Sequence, residues 1–376
     1  MSVSHPAAVI ILAAGAGTRM ESTLPKVLHR VCGRTMLDHV LAAAREVDPA
    51  EFIVVVGHRR DQVIGHLREH APDVRVVVQH HRGGTGHAVR TVVEEVNLDR
   101  GTVVVTYGDA PVLRGRTLTA LVREHASRNA AATALTTVMN DPTGYGRILR
   151  DAGGEITEIV EEADATPEQR AIKEVNSGVY AFEAGLLSGS LKRVPTDNAR
   201  GEEYLTDVVA ILRADGHHVA SILEEDGREV FGVNDRAQLA EARRVLNTRL
   251  LEHWMRKGVT ITDPLTTAID ADVVIGPDAE IGPCTQLEGI TAIEAGARVG
   301  PGCTLRDTSV GAGAMVTHAV CESAVIGPGA IVGPFVHLPP GTSLGPGERV
   351  AAPARTAGQA AAAGPGVPAS ERAHQA

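Results

Sequence analysis

Two cations, Arg19 and Lys26, follow a stretch of nearly bare backbone, Ala13-Ala14-Gly15-Ala16-Gly17-Thr18. With side chains almost absent, a ligand can approach the main chain and collect its N–H groups. A bare loop that ends in two cations suits a polyphosphate. It is not a Walker A loop, because no G-x-x-x-x-G-K-[S/T] occurs. It is not the dinucleotide fingerprint either, because Met20 stands where the third glycine belongs. Further on, Gln79 precedes a glycine-rich turn with Gly84 and Thr85, and a glutamine amide can both donate and accept hydrogen bonds. Thr85 is a candidate cap for the helix after it. Asp109, between Gly108 and Ala110-Pro111, is a carboxylate placed to hold Mg²⁺ against phosphates.

These residues need elements that bring them together. Val9–Leu12 is a continuous apolar run, as in a buried parallel strand. Apolar strands are also expected at 52–56, 75–79 and 102–106, with helical patterns at 37–47 and 61–70 between them. Such alternation predicts a parallel sheet covered on both faces, with ligands beyond the carboxyl ends of its strands. The chemistry-bearing residues fall just after each strand.

Composition bounds the rest. At 376 residues the chain should hold two domains, and 43% hydrophobic residues fit a soluble globular protein. No run approaches the ~20 apolar residues of a membrane span. The first strand begins within a few residues of Met1, which leaves no room for a signal peptide, so a cytoplasmic location is expected. A net charge of -10 argues against a nucleic-acid partner. Cys32, Cys284, Cys303 and Cys321 lack C-x-x-C spacing and are expected as small buried hydrophobes. His80-His81 and His217-His218 are expected on the surface, not as metal ligands.

The stretch L-A-A-G-A-G-T-R-M, followed by L-P-K at 24–26, resembles the signature of the sugar-nucleotidyltransferases, which join a nucleotide to a sugar 1-phosphate. The resemblance continues through Q-H-H-R-G-G-T-G-H-A at 79–88 and Y-G-D-A-P at 107–111. It runs on through D-P-T-G-Y-G-R-I at 141–148, I-V-E-E-A-D-A-T at 159–166 and E-V-N-S-G-V-Y at 174–180. G-E-E-Y-L-T-D at 201–207 and V-F-G-V-N-D-R at 230–236 complete it. Asn234, where many related enzymes carry aspartate, resembles the N-acetylglucosamine-1-phosphate uridyltransferase branch.

The resemblance implies roles. Arg19 and Lys26 would be catalytic. Leu12, Ala13, Ala14, Gly15, Gly17, Gln79, Gly84 and Thr85 would bind the nucleotide, with Gly84 leaving room for the base. Tyr107, Gly108, Gly146, Glu161 and Asn176 would line the sugar side. Asp109 and Asn234 would hold Mg²⁺, the implied cofactor. Two departures stand out: Arg82-Gly83 replaces a Leu-Gly-like pair, and Ala163 replaces a lysine. The implied substrates are UTP and N-acetylglucosamine 1-phosphate. Two rival readings are another sugar 1-phosphate, such as glucose or N-acetylgalactosamine, and a nucleotide-binding scaffold without turnover.

After position 234 the pattern changes. Residues 235–258 read as one amphipathic helix, with Leu239, Ala242, Val245, Leu246, Leu250 and Trp254 on one stripe, and Gly258 ends it. Then Ile275, Ile281, Leu287, Ile293, Val299 and Leu305 recur every six residues. The register slips and resumes at Ile326, Val332, Leu338, Leu344 and Val350. That period is the hexapeptide β-helix signal. The expected fold is α/β: a Rossmann-like nucleotidyltransferase domain (1–234, mainly parallel sheet), a linker helix (235–258), a short left-handed parallel β-helix (259–351) and a disordered tail (352–376). By resemblance the β-helix makes a homotrimer, and the slip is expected to distort one of its sides.

Family members carry an acetyltransferase site on a longer β-helix. Here G-P-F-V-H-L-P-P-G (333–341) replaces the family's G-P-F-x-R-L-R-P-G, and no lysine follows Lys257. Acetyl-CoA carries phosphates that need such cations. The chain is therefore expected to lack acetyltransferase activity.

Overall fold

The computed structural model describes residues 5–352. The expected tail, from 353 onward, lies outside the described residues. Two compact units are present: residues up to His253 with Ala268–Asp272, and Trp254–Thr267 with the residues from Val273.

The first unit begins with β1 (Ala8–Ala13), the short hairpin β2 (Arg30–Val31) and β3 (Arg34–Thr35), α1 (Met36–Arg45), β4 (Glu51–Val56), α2 (Arg60–His70) and β5 (Arg75–Val78). It continues with α3 (Thr85–Val96), β6 (Thr102–Tyr107), α4 (Gly115–Arg128), β7 (Ala132–Val138), β8 (Arg147–Arg150) and β9 (Ile156–Val160). Last come α5 (Pro167–Arg170), β10 (Glu174–Glu183), α6 (Ala184–Leu191), α7 (Asp207–Ala214), β11 (Val219–Leu223) and α8 (Arg236–Arg256).

The central sheet has the order β11-β7-β10-β6-β1-β4-β5. β1 pairs in parallel with β4 and β6, and β4 with β5. Only β10 is reversed along that path, antiparallel to both β6 and β7. The hairpin β8–β9 hangs from β10.

β1 is apolar throughout because both of its faces are covered. Ala8, Ile10 and Leu12 enter the core with α3 and α6, while Val9, Ile11 and Ala13 enter the opposite core with α1 and α4. Period-two alternation sends successive side chains to opposite faces, so a doubly covered strand has no polar positions. α1 starts where Thr35 and Asp38 form a reciprocal capping box, an arrangement of about 1 kcal/mol. In α8, Leu239, Ala242, Val245, Leu246 and Leu250 form a stripe that packs with Val31, Cys32, Met36, Val112 and Val233.

The second unit is a left-handed β-helix of three parallel sheets. One face stacks the strands at 260–261, 280–281, 298–299, 315–316, 331–332 and 349–350. The expected distortion does not occur. Leu305, Val310, Val316, Cys321 and Ile326 are all buried, and three of these four steps are five residues long instead of six. The short steps fall on two of the three corners, while the step from Val310 to Val316 keeps six residues, and the coil shortens without losing its pairing. Pairing continues in parallel as Leu305↔Cys321, Val310↔Ile326 and Val316↔Val332. One cysteine departs from expectation: Cys32, Cys303 and Cys321 are buried, but Cys284 is exposed. It occupies a left-handed turn position (φ 54°) between strands, where the side chain points away from the coil.

Candidate functional site

The sheet order reverses at β1, whose chain successor β4 lies on one side and β6 on the other. A crevice opens beyond the carboxyl ends at such a point. The loop after β1 enters it. Leu12, Ala13 and Ala14 are buried, so they offer main chain only. Two of their carbonyls are already engaged: Leu12 accepts from the Gly108 N–H at 2.9 Å and Ala14 from the His58 N–H at 3.2 Å. Gly15 is exposed, and a Cβ there would meet nothing within 4 Å. Gly17 is left-handed (φ +59°), and a Cβ there would lie 2.6 Å from the Lys26 Cβ, so the loop closes directly onto Lys26. Thr18–Met20 form a single 3₁₀ turn that buries Met20 and leaves Arg19 exposed. Among the described residues Arg19 has no hydrogen-bond or ion-pair partner.

Lys26 and Asp109 form an ion pair, and both side chains are largely buried. The Lys26 ammonium also donates to Asn234 Oδ1 at 3.2 Å. Asn234 is held for this contact on every side. Its Nδ2 donates to the Gly232 carbonyl at 3.2 Å, and its main-chain N–H donates to Gln238 Oε1 at 2.7 Å. The Val233 N–H donates to the Asp109 carbonyl at 2.9 Å, which joins this segment to the end of β6. Two hard oxygens thus converge on one cation. That donor pair fits Mg²⁺, which takes few protein ligands and completes its shell with water and phosphate. Among the described residues no group of three or more His, Cys, Asp or Glu side chains is arranged to hold a metal ion. Gln238 had no recognisable signal in the sequence; it lies in the first turn of α8.

The glycine-rich loop after β5 differs from expectation in two respects. Gln79 Nε2 donates to the Gly84 carbonyl at 3.0 Å and contacts His87 Nδ1 at 2.9 Å, so the amide donors are spent inside the protein. Thr85 does not cap α3. It is the first residue of the helix, Gly84 is the N-cap, and the Thr85 hydroxyl accepts from the Leu205 N–H at 3.0 Å. Gly84 is glycine because its φ is +99° and a Cβ would approach the Glu203 carbonyl oxygen to 2.4 Å. The loop is thereby joined to 203–205, with the Glu203 N–H on the Gly83 carbonyl at 2.7 Å and the Gly86 N–H on the Glu203 carbonyl at 2.8 Å. Arg90 secures the same segment through Glu203, at 2.6 and 3.0 Å.

Tyr107 stands between these groups. Burial pushes its phenol well above the ordinary range, with Glu161 and Asp109 adding to the effect and a hydrogen bond with Thr85 opposing it. Its ring lies on Gly178, where a Cβ would come within 2.0 Å. Gly108 is buried, and a Cβ there would face Leu37, Val27 and Ala13 at 3.3–3.4 Å. Gly146 accepts from the Asn176 N–H at 2.9 Å. Asn176 is buried, and its Oδ1 accepts from the Gly178 N–H at 3.0 Å. Glu161 accepts from the Thr206 hydroxyl at 3.3 Å. Burial raises its carboxyl, Asp164 adds to this, and Thr206 and Arg200 oppose it. Neighbouring Asp207 is pushed up to about 6, first by burial and then by Glu161 and other carboxylates. Ala163 is exposed in the turn after Glu161. That turn is held by Arg147, which is buried and pairs with Glu162 at 2.6 Å.

The structure therefore brings the loop, Lys26, Asp109, Asn234 and Tyr107 together, and Tyr107 reaches both Thr85 and Glu161. Thr206, Arg147, His87 and Gln238 join them without having been singled out. The first three lie inside quoted motifs, and their position there was the available signal. No described helix is long and apolar enough to cross a membrane.

Comparison with known proteins gives a consistent picture. Residues 9–174 match the MobA-like NTP transferase domain. The chain is 56% identical over 332 residues to the bifunctional protein GlmU of Thermobifida fusca (strain YX), an alignment covering 87% of this chain and 69% of the relative. It is 54% identical over 329 residues to the bifunctional protein GlmU of Streptomyces avermitilis, covering 87% and 68%. It is 53% identical over 331 residues to that of Streptomyces coelicolor, again covering 87% and 68%.

Proposed function

The chain belongs to the GlmU family, and on that premise we propose that it makes UDP-N-acetylglucosamine and pyrophosphate from UTP and N-acetylglucosamine 1-phosphate. The observation that carries this reading is the Lys26 ammonium held by Asp109 and Asn234 beneath the glycine loop. It puts a cation, two hard oxygen donors and exposed main chain beyond the carboxyl ends of the parallel strands β1 and β6.

The sugar phosphate brings its own nucleophilic oxygen, so no strong base is needed. Its oxygen forms a bond to the α-phosphorus of UTP as the bond to the β,γ-pyrophosphate breaks. The obstacle is repulsion between anions and alignment for in-line attack. Arg19, exposed and without a partner among the described residues, and Lys26 neutralise charge on the departing pyrophosphate, together with loop N–H groups. Gln79 accepts from the base. Glu161 and Asn176 take sugar hydroxyl and acetamido groups. Asp109 and Asn234 would hold magnesium, which when bound supplies charge neutralisation on the substrates' phosphates.

The β-helix, in this reading, carries no acetyl transfer. His337 and Pro339 stand where the family motif has arginines, and Arg306 is engaged by Glu288 at 2.6 Å. CoA release from acetyl-CoA and glucosamine 1-phosphate, above a control without protein, would contradict this. The outer positions Val274, Ala292, Ser309, Val325 and Ser343 form one uncharged face of the β-helix, which supports self-association as a trimer.

Pyrophosphate release with UTP, Mg²⁺ and a panel of sugar 1-phosphates tests the reading. N-acetylglucosamine 1-phosphate should give the highest kcat/KM. A higher value with glucose or N-acetylgalactosamine 1-phosphate would reassign the sugar, and no release with any acceptor would reject the activity.

A further inference from the structure

Gln79 is the side chain expected to read the base, and its amide can face the ligand in two ways. The structure decides between them. The Gly84 carbonyl, 3.0 Å from the Gln79 amide, is an acceptor only, so the nitrogen must face it. The same nitrogen lies 2.9 Å from His87 Nδ1. With one N–H on Gly84, the other points at the imidazole, and Nδ1 must accept it. A neutral imidazole that accepts at Nδ1 carries its proton on Nε2. Both hydrogens of the amide are then spent, and Oε1 is the one group Gln79 offers to a ligand.

The imidazole is itself held. A Cβ on Gly83 would lie 2.7 Å from the His87 ring, so the ring is covered closely by the loop's main chain. The Gly83 carbonyl in turn accepts from the Glu203 N–H at 2.7 Å. Replacing Gly83 would push the ring away from Gln79. This accounts for glycine after Arg82 in this chain.

We propose that His87 is a positioning residue that sets nucleobase preference: by accepting from Gln79 Nε2 alongside the Gly84 carbonyl, it locks Oε1 toward the base. A bare acceptor there takes a base with a ring N–H at its pairing edge, as uracil has. It rejects cytosine and adenine, whose ring nitrogens at that edge are acceptors and would face Oε1 lone pair to lone pair. A site that pairs a buried polar group discriminates strongly against the analogue lacking the partner. The inference rests on the reading of this chain as an enzyme that uses UTP.

The test compares kcat/KM for UTP and CTP at fixed N-acetylglucosamine 1-phosphate in three proteins. Wild type should prefer UTP. His87→Asn places Oδ1 where Nδ1 was and should keep the preference within about threefold. His87→Leu places a methyl there and should lower the UTP/CTP ratio at least tenfold, through KM for UTP with kcat little changed. An unchanged ratio in His87→Leu overturns the proposal. Equal losses in the Asn and Leu variants also overturn it, since bulk and not the acceptor would then matter. Nitrogen-15 NMR of the wild-type ligand-free protein gives a readout that needs no variant to fold: His87 should be the Nε2–H tautomer, and an Nδ1–H tautomer overturns the proposal. A wild type without UTP preference would instead reject the UTP reading, and the tautomer would still decide the orientation of the amide.

Discussion

Lys26 and Asn234 are 208 residues apart in sequence, and their side chains meet at 3.2 Å, with Asp109 on the other side of the same ammonium. The lysine thus occupies the point on which the two proposed metal ligands converge. Removing it should have two opposite effects. Lys26→Met should slow turnover by at least about 100-fold, as for loss of one transition-state charge contact. In the absence of substrates the same variant should bind Mn²⁺ more tightly than wild type, measured by EPR titration, because a competing internal cation is gone. Weaker Mn²⁺ binding would show that the two oxygens are not a metal pair.

Gly84→Ala tests the junction between the base loop and residues 203–205. The left-handed φ and the 2.4 Å approach to the Glu203 carbonyl leave no place for a methyl group. The loop must shift, at a cost of about 1–3 kcal/mol. The expected result is a lower melting temperature and a raised KM for UTP. A variant with wild-type melting and KM would mean that the loop relaxes freely.

Asp207 provides a pH signature. Its carboxyl is raised from 3.8 to about 6 in the folded protein, with burial the largest cause. A raised folded value means that the protonated form is favoured by folding. Its contribution is fully present below about 4 and is lost as pH rises through about 6. Asp207→Asn should remove that decline, so the melting temperature of the variant should exceed wild type at pH 7.5 and approach it at pH 4. Parallel melting curves from pH 4 to 7.5 would contradict the assignment.

β1, β4 and β6 were legible because they are buried on both faces along most of their length: a run such as Val9–Leu12 has no polar position to disguise it. Their functional ends were legible because glycine, proline and charge interrupt the apolar pattern just where the sheet ends. The contacts that orient those ends were not. Gln238 on Asn234, His87 on Gln79 and Glu203 against Gly84 depend on how separate segments meet, and no local pattern encodes that. The β-helix shows the opposite limit. Its period broke after Leu305 as a count of six, yet the inward side chains continued, since stacking requires an aliphatic residue on each side and tolerates a shorter corner.

The uncharged face of the β-helix should mediate trimer formation. Val325, about half exposed, lies on it between Ser309 and Ser343. Light scattering across a dilution series should give a trimer mass for wild type, and Val325→Asp should shift the mass to monomer by placing charge in a desolvated contact. A monomer mass for wild type at every concentration would refute the assembly.

The central claim is that Lys26, Asp109 and Asn234 form the centre of uridylyl transfer, and Asp109→Asn tests it most directly. Asparagine keeps the shape and removes the charge. Pyrophosphate release from UTP and N-acetylglucosamine 1-phosphate with saturating Mg²⁺ should be readily measured in wild type. In Asp109→Asn it should fall at least about 100-fold, with the far-ultraviolet circular dichroism spectrum unchanged. Wild-type turnover in that variant would contradict the account.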